Sequence, residues 1–292
     1  MPDKKSLKET ALTGIKGAWV GGTMLVPGVS GGSMAMILGI YDRLVSAVSS
    51  FMEERKANLE FLCSFSIGAL LGMLLFAVPI LKLLQKYPMP VIYFFLGAVA
   101  GGIPMIIRKA GMKKFSWKTI VYPAAGGAAV MLLSLVPAGN LAAGMDMGLL
   151  KILFLLAAGM VAAVALVLPG ISVSYLLLLL GLYEETMKAI GSLDIAFLLP
   201  LGTGVILGIL LSTKALEKAM VKCPQMTYLV ILGFILGSVA EIFPGIPTGS
   251  GILPCILLFA AGFAVIWGMS RLERLQKPNS DQKKEILAES SM

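Results

Sequence analysis

Two short segments of the chain combine the residue types that could bind an anion inside an apolar region. Residues 27–33 read Pro-Gly-Val-Ser-Gly-Gly-Ser, and residues 169–175 read Pro-Gly-Ile-Ser-Val-Ser-Tyr. Because proline lacks a backbone N–H and glycine adopts turn conformations easily, each segment predicts a tight turn between two helices. The helix that follows such a turn presents backbone N–H groups and the positive end of its dipole, which attract an anion.

Side chains near both turns could donate hydrogen bonds to the same ligand. The candidate hydroxyl donors are Ser30, Ser33, Ser172, Ser174 and Tyr175. Arg43 could hold a phosphate through two parallel hydrogen bonds, or it could be neutralised by Asp42 beside it. In the alternative interpretation, the Pro-Gly turns only let each hairpin bend, and the serines satisfy the backbone groups that the break leaves free.

Four carboxylates in or beside apolar stretches are candidates for ion coupling or gating: Asp42, Glu184, Glu185 and Glu241. A carboxylate inside a membrane is a functional candidate, although a helix-end charge in the headgroup region is an equally good interpretation. Asp42 and Glu184 each follow a Gly-x-Tyr triplet. Helices that begin near residues 33 and 175 would place these two carboxylates about 13–15 Å from the turns. We expect Lys16 to extend its ammonium group to the membrane surface.

The sequence argues against a metal or haem site. The chain has no histidine, and its three cysteines, Cys63, Cys223 and Cys255, are far apart and form no CxxC pair. We therefore expect no cofactor beyond a coupling proton or sodium ion. Basic and aromatic residues do not alternate as they do in single-strand binders, so nucleic acid is not an expected partner.

The composition places these candidate residues in a membrane. Hydrophobic residues make up 58% of the 292 residues, charged residues only 14%, and the mean hydropathy is +0.90. So little polar surface cannot cover a water-soluble globule of this size, and an ordinary soluble domain has roughly 25% charged residues. The fold class we predict is an all-α polytopic membrane protein. Six stretches are long enough to span a bilayer: 61–84, 89–107, 119–137, 196–213, 227–243 and 252–270.

Two further apolar regions, 13–51 and 149–190, contain the Pro-Gly turns and are similar to each other. One constant offset aligns both the turns and the Gly-x-Tyr-acidic motifs, and glycines in the later spans align nearly as well. This pattern indicates a tandem duplication in which each half holds one broken or re-entrant helical hairpin plus three spans. An odd number of crossings in each half requires two inverted repeats. The predicted units are a first repeat, 1–137, a second repeat, 138–270, and a polar cytoplasmic tail, 271–292.

The distribution of basic residues predicts that both termini are cytoplasmic. Eighteen of the 24 Lys and Arg residues lie in five segments that this topology places inside, and only four lie in the outer segments. The positive-inside rule favours this orientation. The five predicted cytoplasmic segments are 1–13, 52–60, 108–118, 214–226 and the chain from 271 onwards.

The motifs VPGVSGGSMAMILGIYDRL and LPGISVSYLLLLLGLYEE resemble those of the PopT-type polyprenyl-phosphate transporter family, and the similarity extends to about Ser270. The resemblance implies a flippase-like transporter in the bacterial cell membrane that returns undecaprenyl phosphate, a lipid carrier for cell wall biogenesis, from the outer to the cytoplasmic leaflet. It also implies a headgroup site. That site would comprise Pro27, Gly28, Ser30, Gly31, Gly32, Ser33, Pro169, Gly170 and Ser172. Val173 and Ser174 replace the two glycines of the first copy, which predicts an asymmetric site.

Three other functions remain open at this point. An intramembrane polyprenyl-diphosphate phosphatase could share broken repeats, although no Glu/Arg cluster accompanies a nucleophilic serine in the hairpins. A transporter of a small soluble anion would need a site sealed from lipid. A purely structural scaffold fits least well, because broken helices lose backbone hydrogen bonds and a scaffold would gain no binding site in exchange.

Overall fold

The computed structural model describes residues 4–24, 26, 29–112, 116–136, 139 and 148–276. Within these residues the chain forms twelve α-helices and one 3₁₀ turn, Gly249–Gly251, and no strand. The helices are α1 Lys4–Thr23, α2 Gly31–Ile37, α3 Tyr41–Ser49, α4 Arg55–Lys86, α5 Pro88–Lys109, α6 Lys118–Ser134, α7 Leu149–Val167, α8 Val173–Leu179, α9 Tyr183–Ser192, α10 Ile195–Lys222, α11 Pro224–Ile242 and α12 Ile252–Gln276.

Six of these helices are long and apolar enough to cross a bilayer, namely α4, α5, α7, α10, α11 and α12. This confirms the predicted all-helical polytopic membrane protein. Helix α6 has 17 residues and is the shortest of the helices that coincide with a predicted span. Helix α7 is the first arm of the second hairpin, and its 19 residues suffice for a crossing.

The two halves contain helices in the same order, α1–α6 and α7–α12. Within each half the first helix packs on the fourth, so that α1 contacts α4 and α7 contacts α10. Between the halves, α5 packs on α12 and α6 on α11. Corresponding helices therefore make corresponding contacts, as a duplicated chain should. The inversion of one half relative to the other stays a prediction.

Glycines allow these helix pairs to approach closely. A Cβ atom added to Gly68 or Gly72 of α4 would collide with the backbone of α1, at Gly14 and Ala18 respectively. In the second half a Cβ on Gly204 would collide with Leu156 of α7 in the same way. The small-residue spacing in these spans is thus explained by helix packing, without any ligand.

Each hairpin region contains three helices, and the prediction of one continuous helix after each turn is wrong. Helix α2 ends at Ile37 and α3 begins at Tyr41. Between them Gly39 has a φ of +72°, and the matching Gly181 in the second half has a φ of +73°. A residue in this left-handed conformation ends a helix, and glycine adopts it without steric cost. Asp42 and Glu184 therefore lie in the first turns of separate short helices.

Contacts join the segments that the basic residues assign to one membrane face. Thr10 donates to Glu60 Oε1 at 3.1 Å, which joins 1–13 to 52–60. Arg108 Nη2 donates to Ser270 Oγ at 3.2 Å, where the C-terminal segment begins. Segments 52–60 and 214–226 line a common cavity. These contacts bring 1–13, 52–60 and 214–226 together and, separately, 108–118 and the start of the C-terminal segment, and the membrane face of all five segments stays a prediction.

The first short helix after the turn, α2 in the first half and α8 in the second, is buried to a different extent in the two halves. Helix α2 is enclosed, with Met34, Met36 and Ile37 at most 1% exposed and packed in the main core. In α8 only Leu177 is buried. The first hairpin thus lies at the centre of the molecule, whereas the second lies nearer its surface.

Candidate functional site

The two Pro-Gly turns, although far apart in the chain, line the same cavity. The cavity has a volume of about 620 Å³, within the range of small-molecule sites. The predicted residues on its wall are Ser30, Gly31, Gly32, Gly170, Ser172, Ser174 and Glu241. Most of the remaining wall is apolar and includes Val20, Leu44 and Ile209.

Each turn ends in a serine at the N-cap position of a short helix. Ser30 precedes α2 with φ −80° and ψ 134°, and Ser172 precedes α8 with φ −88° and ψ 121°. The helix after each turn begins directly after this serine, at Gly31 and Val173, which is two residues before the predicted starts near 33 and 175. The Ser172 hydroxyl accepts a hydrogen bond from the Tyr175 N–H at 3.3 Å, whereas the Ser30 side chain makes no capping bond. The two turns therefore have nearly the same backbone conformation at the serine, but only the Ser172 hydroxyl makes a capping hydrogen bond.

The turns touch directly because glycine occupies the closest positions. A Cβ on Gly32 would lie 3.2 Å from Pro169 Cα, closer than an ordinary contact. Gly170 has a φ of +85°, and a Cβ there would collide with the Phe234 carbonyl of α11. The Tyr41 hydroxyl donates to the Val167 carbonyl at 2.6 Å and joins the two hairpins again.

Some predicted binding residues lie off the cavity wall. The Ser33 hydroxyl is buried and has no hydrogen-bond partner among the described residues. The Arg43 guanidinium stacks over Phe61, 5.1 Å from the ring centroid. Pro169 is fully buried, and the Tyr175 hydroxyl lies 3.1 Å from the carbonyls of Leu133 and Val136. Pro27 and Gly28 lie outside the described residues.

The four candidate carboxylates have different surroundings. Glu241 is on the wall of the cavity. Asp42 Oδ2 accepts hydrogen bonds from Lys109 Nζ at 2.7 Å and from the Tyr228 hydroxyl at 2.9 Å. Glu185 forms an ion pair with Lys151 at 3.2 Å, and Glu184 is exposed. Only Glu241 can act directly on a ligand in the cavity.

Sequence reasoning missed three polar residues on the cavity wall, Tyr41, Thr213 and Ser238. Tyr41 belongs to the repeated Gly-x-Tyr motif, and this repetition could have marked it as a candidate cavity residue. Thr213 and Ser238 lie in apolar spans, and nothing in their local sequence marks them.

The prediction for Lys16 was wrong: it is 7% exposed, and its Nζ donates to the Leu38 carbonyl at 2.9 Å. Its position opposite the end of α2 explains why it turns inward.

The fold and the cavity define a polytopic all-helical membrane protein with a cavity lined by residues from both halves. Residues 20–252 match the undecaprenyl phosphate translocase-like family. This match covers more than half of the chain, and the chain belongs to that family.

Curated relatives agree with this assignment. A polyprenyl-phosphate transporter of Staphylococcus aureus is 33% identical over 269 residues, which cover 88% of this chain and 95% of the relative. A polyprenyl-phosphate transporter of Vibrio cholerae is 30% identical over 253 residues, which cover 80% of this chain and 77% of the relative. Both relatives are named as transporters and not as enzymes. No solved structure matches the chain significantly.

Proposed function

We propose that this protein carries undecaprenyl phosphate, or a similar polyprenyl phosphate, from the outer to the cytoplasmic leaflet of the bacterial cell membrane. The phosphate is held by the backbone and hydroxyls of the turns at Ser30 and Ser172. The observation that supports this most strongly is that both turns, about 140 residues apart, line one cavity between the halves. The names of the two relatives support the substrate class.

The lining of the cavity suits an anion on an apolar tail. Two serine-capped turns provide polar groups, and most of the remaining wall is apolar. Met24 and Leu166 on this wall are 41% and 45% exposed, which supports access from the lipid. A soluble anion would need no such apolar wall. The lipid phosphate is therefore the better fit.

Inward transport of a phosphate also needs a compensating charge. An inside-negative potential opposes inward movement of each negative charge by about 2.3 kcal/mol per 100 mV. Glu241 adds a carboxylate to the same cavity, so two anions would repel each other there unless a proton or cation accompanies them. We propose that H⁺ or Na⁺ enters with the lipid and that Glu241 is its site. Asp42, Glu184 and Glu185 would then act as gating or positioning groups.

Binding tests the turn site. We expect Ser30→Ala and Ser172→Ala each to weaken undecaprenyl phosphate binding about ten-fold or more, because each removes a hydroxyl donor to a charged ligand. Native mass spectrometry of the purified protein measures the bound fraction. Ser192→Ala is the control, since this exposed hydroxyl donates to the Lys188 carbonyl in α9, away from the cavity. Unchanged binding in both cavity variants would rule out the two-turn site.

Coupling is tested in proteoliposomes. We expect movement of the lipid phosphate to follow an imposed pH or sodium gradient, and Glu241→Gln to remove that dependence. Glu9→Gln is the matched control, because Glu9 is an exposed carboxylate of α1, off the cavity wall and outside the proposed gating groups. Transport that ignores both gradients in the wild-type protein would reject coupling while leaving the binding site intact.

A further inference from the structure

A second cavity lies beside the first, where segments 52–60 and 214–226 meet. It has a volume of about 960 Å³ and lies between the end of α3, the residues after it and the C-terminal part of α10. Its charged wall residues are Lys214, Lys218, Lys222, Glu217 and Glu53. Three ammonium groups against two carboxylates give this lysine cavity a net positive charge.

The three lysines are spaced four residues apart and share one face of α10. Within the described part of the chain, none of their ammonium groups forms an ion pair or a hydrogen bond. Glu217 is engaged differently, because it accepts hydrogen bonds from the hydroxyls of Ser49 and, at 3.4 Å, Ser50. The carboxylate is thus held at the end of α3, and the ammonium groups stay available to an anion.

The two cavities follow one another along the interface of α3 and α10. Helix α3 lines the first cavity with Leu44 and Val45 and the second with Ser49, and Val48 lines both. On α10, Thr213 lines the first cavity and Lys214 the second. The two cavities are therefore adjacent along this interface, where they share Val48 and are separated on α10 only by the step from Thr213 to Lys214.

We propose that the lysine cavity receives the phosphate monoester of the carried lipid when it leaves the turns, and so serves as its release site at the cytoplasmic leaflet. This inference rests on the proposed function and on the predicted cytoplasmic location of 52–60 and 214–226. Ammonium groups are compact, strongly hydrated charges, and these three are exposed. They attract the phosphate but hold it weakly, as release requires.

The first half does not repeat this charge pattern. At the positions of α4 that correspond to Lys214 and Glu217, the chain has Val78 and Leu81. Lysines are present only at the positions that correspond to Lys218 and Lys222, namely Lys82 and Lys86. The lysine cavity is consequently a property of one half, and Lys82 and Lys86 supply a matched control.

Photocrosslinking of the full-length protein in proteoliposomes tests the release site. The probe is a polyprenyl phosphate with a diazirine in the isoprene unit next to the phosphate. We expect labelled peptides from both cavities. Lys214→Gln, Lys218→Gln and Lys222→Gln should lower labelling of the second cavity about five-fold for each lysine removed at low salt, and labelling of the first cavity should persist. Lys82→Gln with Lys86→Gln should change neither.

Competition identifies the source of the phosphate. Unlabelled polyprenyl phosphate should displace the probe from the lysine cavity, whereas inorganic phosphate and phosphatidylglycerol at equal concentration should not. Displacement by either of those would overturn the proposal in favour of a soluble-phosphate or phospholipid site. Labelling confined to the first cavity, or unaffected by the triple substitution, would also overturn it. Labelling of the lysine cavity alone would instead contradict the turn site and leave the lysine site standing.

Discussion

The two serine-capped turns have nearly the same backbone but different surroundings. Ser30 and Ser172 share extended dihedral angles, and Gly39 and Gly181 end the following helices with φ values one degree apart. The first turn, however, leads into the buried α2, while the second leads into α8, most of whose residues are only half-buried. The two turns thus share their local geometry, and the surroundings of each turn give its hydroxyl and its glycines different contacts.

The largest expected effect concerns Gly170 in the second turn. Gly170→Ala places a Cβ at positive φ, which costs about 1–2 kcal/mol, and adds a collision with the Phe234 carbonyl. Gly245→Ala is the control, because Gly245 has a φ of +88° and open space around its Cβ position. Thermal unfolding in detergent should show a much larger loss for Gly170→Ala. Equal losses would mean that the contact with α11 is unimportant.

A smaller effect is expected from exchanging residues between the turns. Gly32→Ser brings a side chain against Pro169, so we expect transport in proteoliposomes to fall roughly ten-fold through overpacking. The reverse change, Ser174→Gly, removes an exposed side chain and should alter transport less than about two-fold. If both changes had the same effect, the turns would be equivalent in spite of their different burial.

Replacing the two N-cap serines by alanine should have different effects on the stability of the protein, although we expect similar effects on binding. Ser172→Ala removes the acceptor for the Tyr175 N–H and should cost about 1 kcal/mol of unfolding free energy. Ser30 makes no capping bond, so Ser30→Ala should cost only a few tenths of that. Unfolding of both variants in mixed detergent micelles measures the difference. A greater loss in Ser30→Ala would contradict the assignment of the cap to the second turn.

The smallest effects concern the matched carboxylates. Asp42→Asn weakens the contacts with Lys109 and Tyr228, and because the Asp42 side chain is 38% exposed we expect a cost of no more than about 1 kcal/mol. Glu184→Gln changes an exposed side chain and should stay within about 0.5 kcal/mol of wild type. The same unfolding assay compares them. A larger loss in Glu184→Gln would show that the second hairpin holds its carboxylate as tightly as the first.

Much of the site could be predicted because its chemistry is local. A Pro-Gly pair followed by serine breaks a helix and caps the next one, whatever surrounds it. The second break was missed at Gly39 and Gly181, although the Gly-x-Tyr motif was visible, since nothing local distinguishes a glycine at positive φ from one inside a helix. Lys16 was misjudged for another reason. Its carbonyl partner, Leu38, is provided by a different helix.

By itself the sequence determined the membrane environment, the all-helical fold class, the family and the two turns, because apolar length, Pro-Gly chemistry and motif resemblance all act within short stretches of chain. Only the tertiary structure decided that the turns share one cavity, that Glu241 reaches it and Asp42 does not, and that a lysine cavity continues from it. The physical reason is sequence separation. Contacts such as Tyr41 with Val167 depend on how helices pack, and no local pattern encodes that packing.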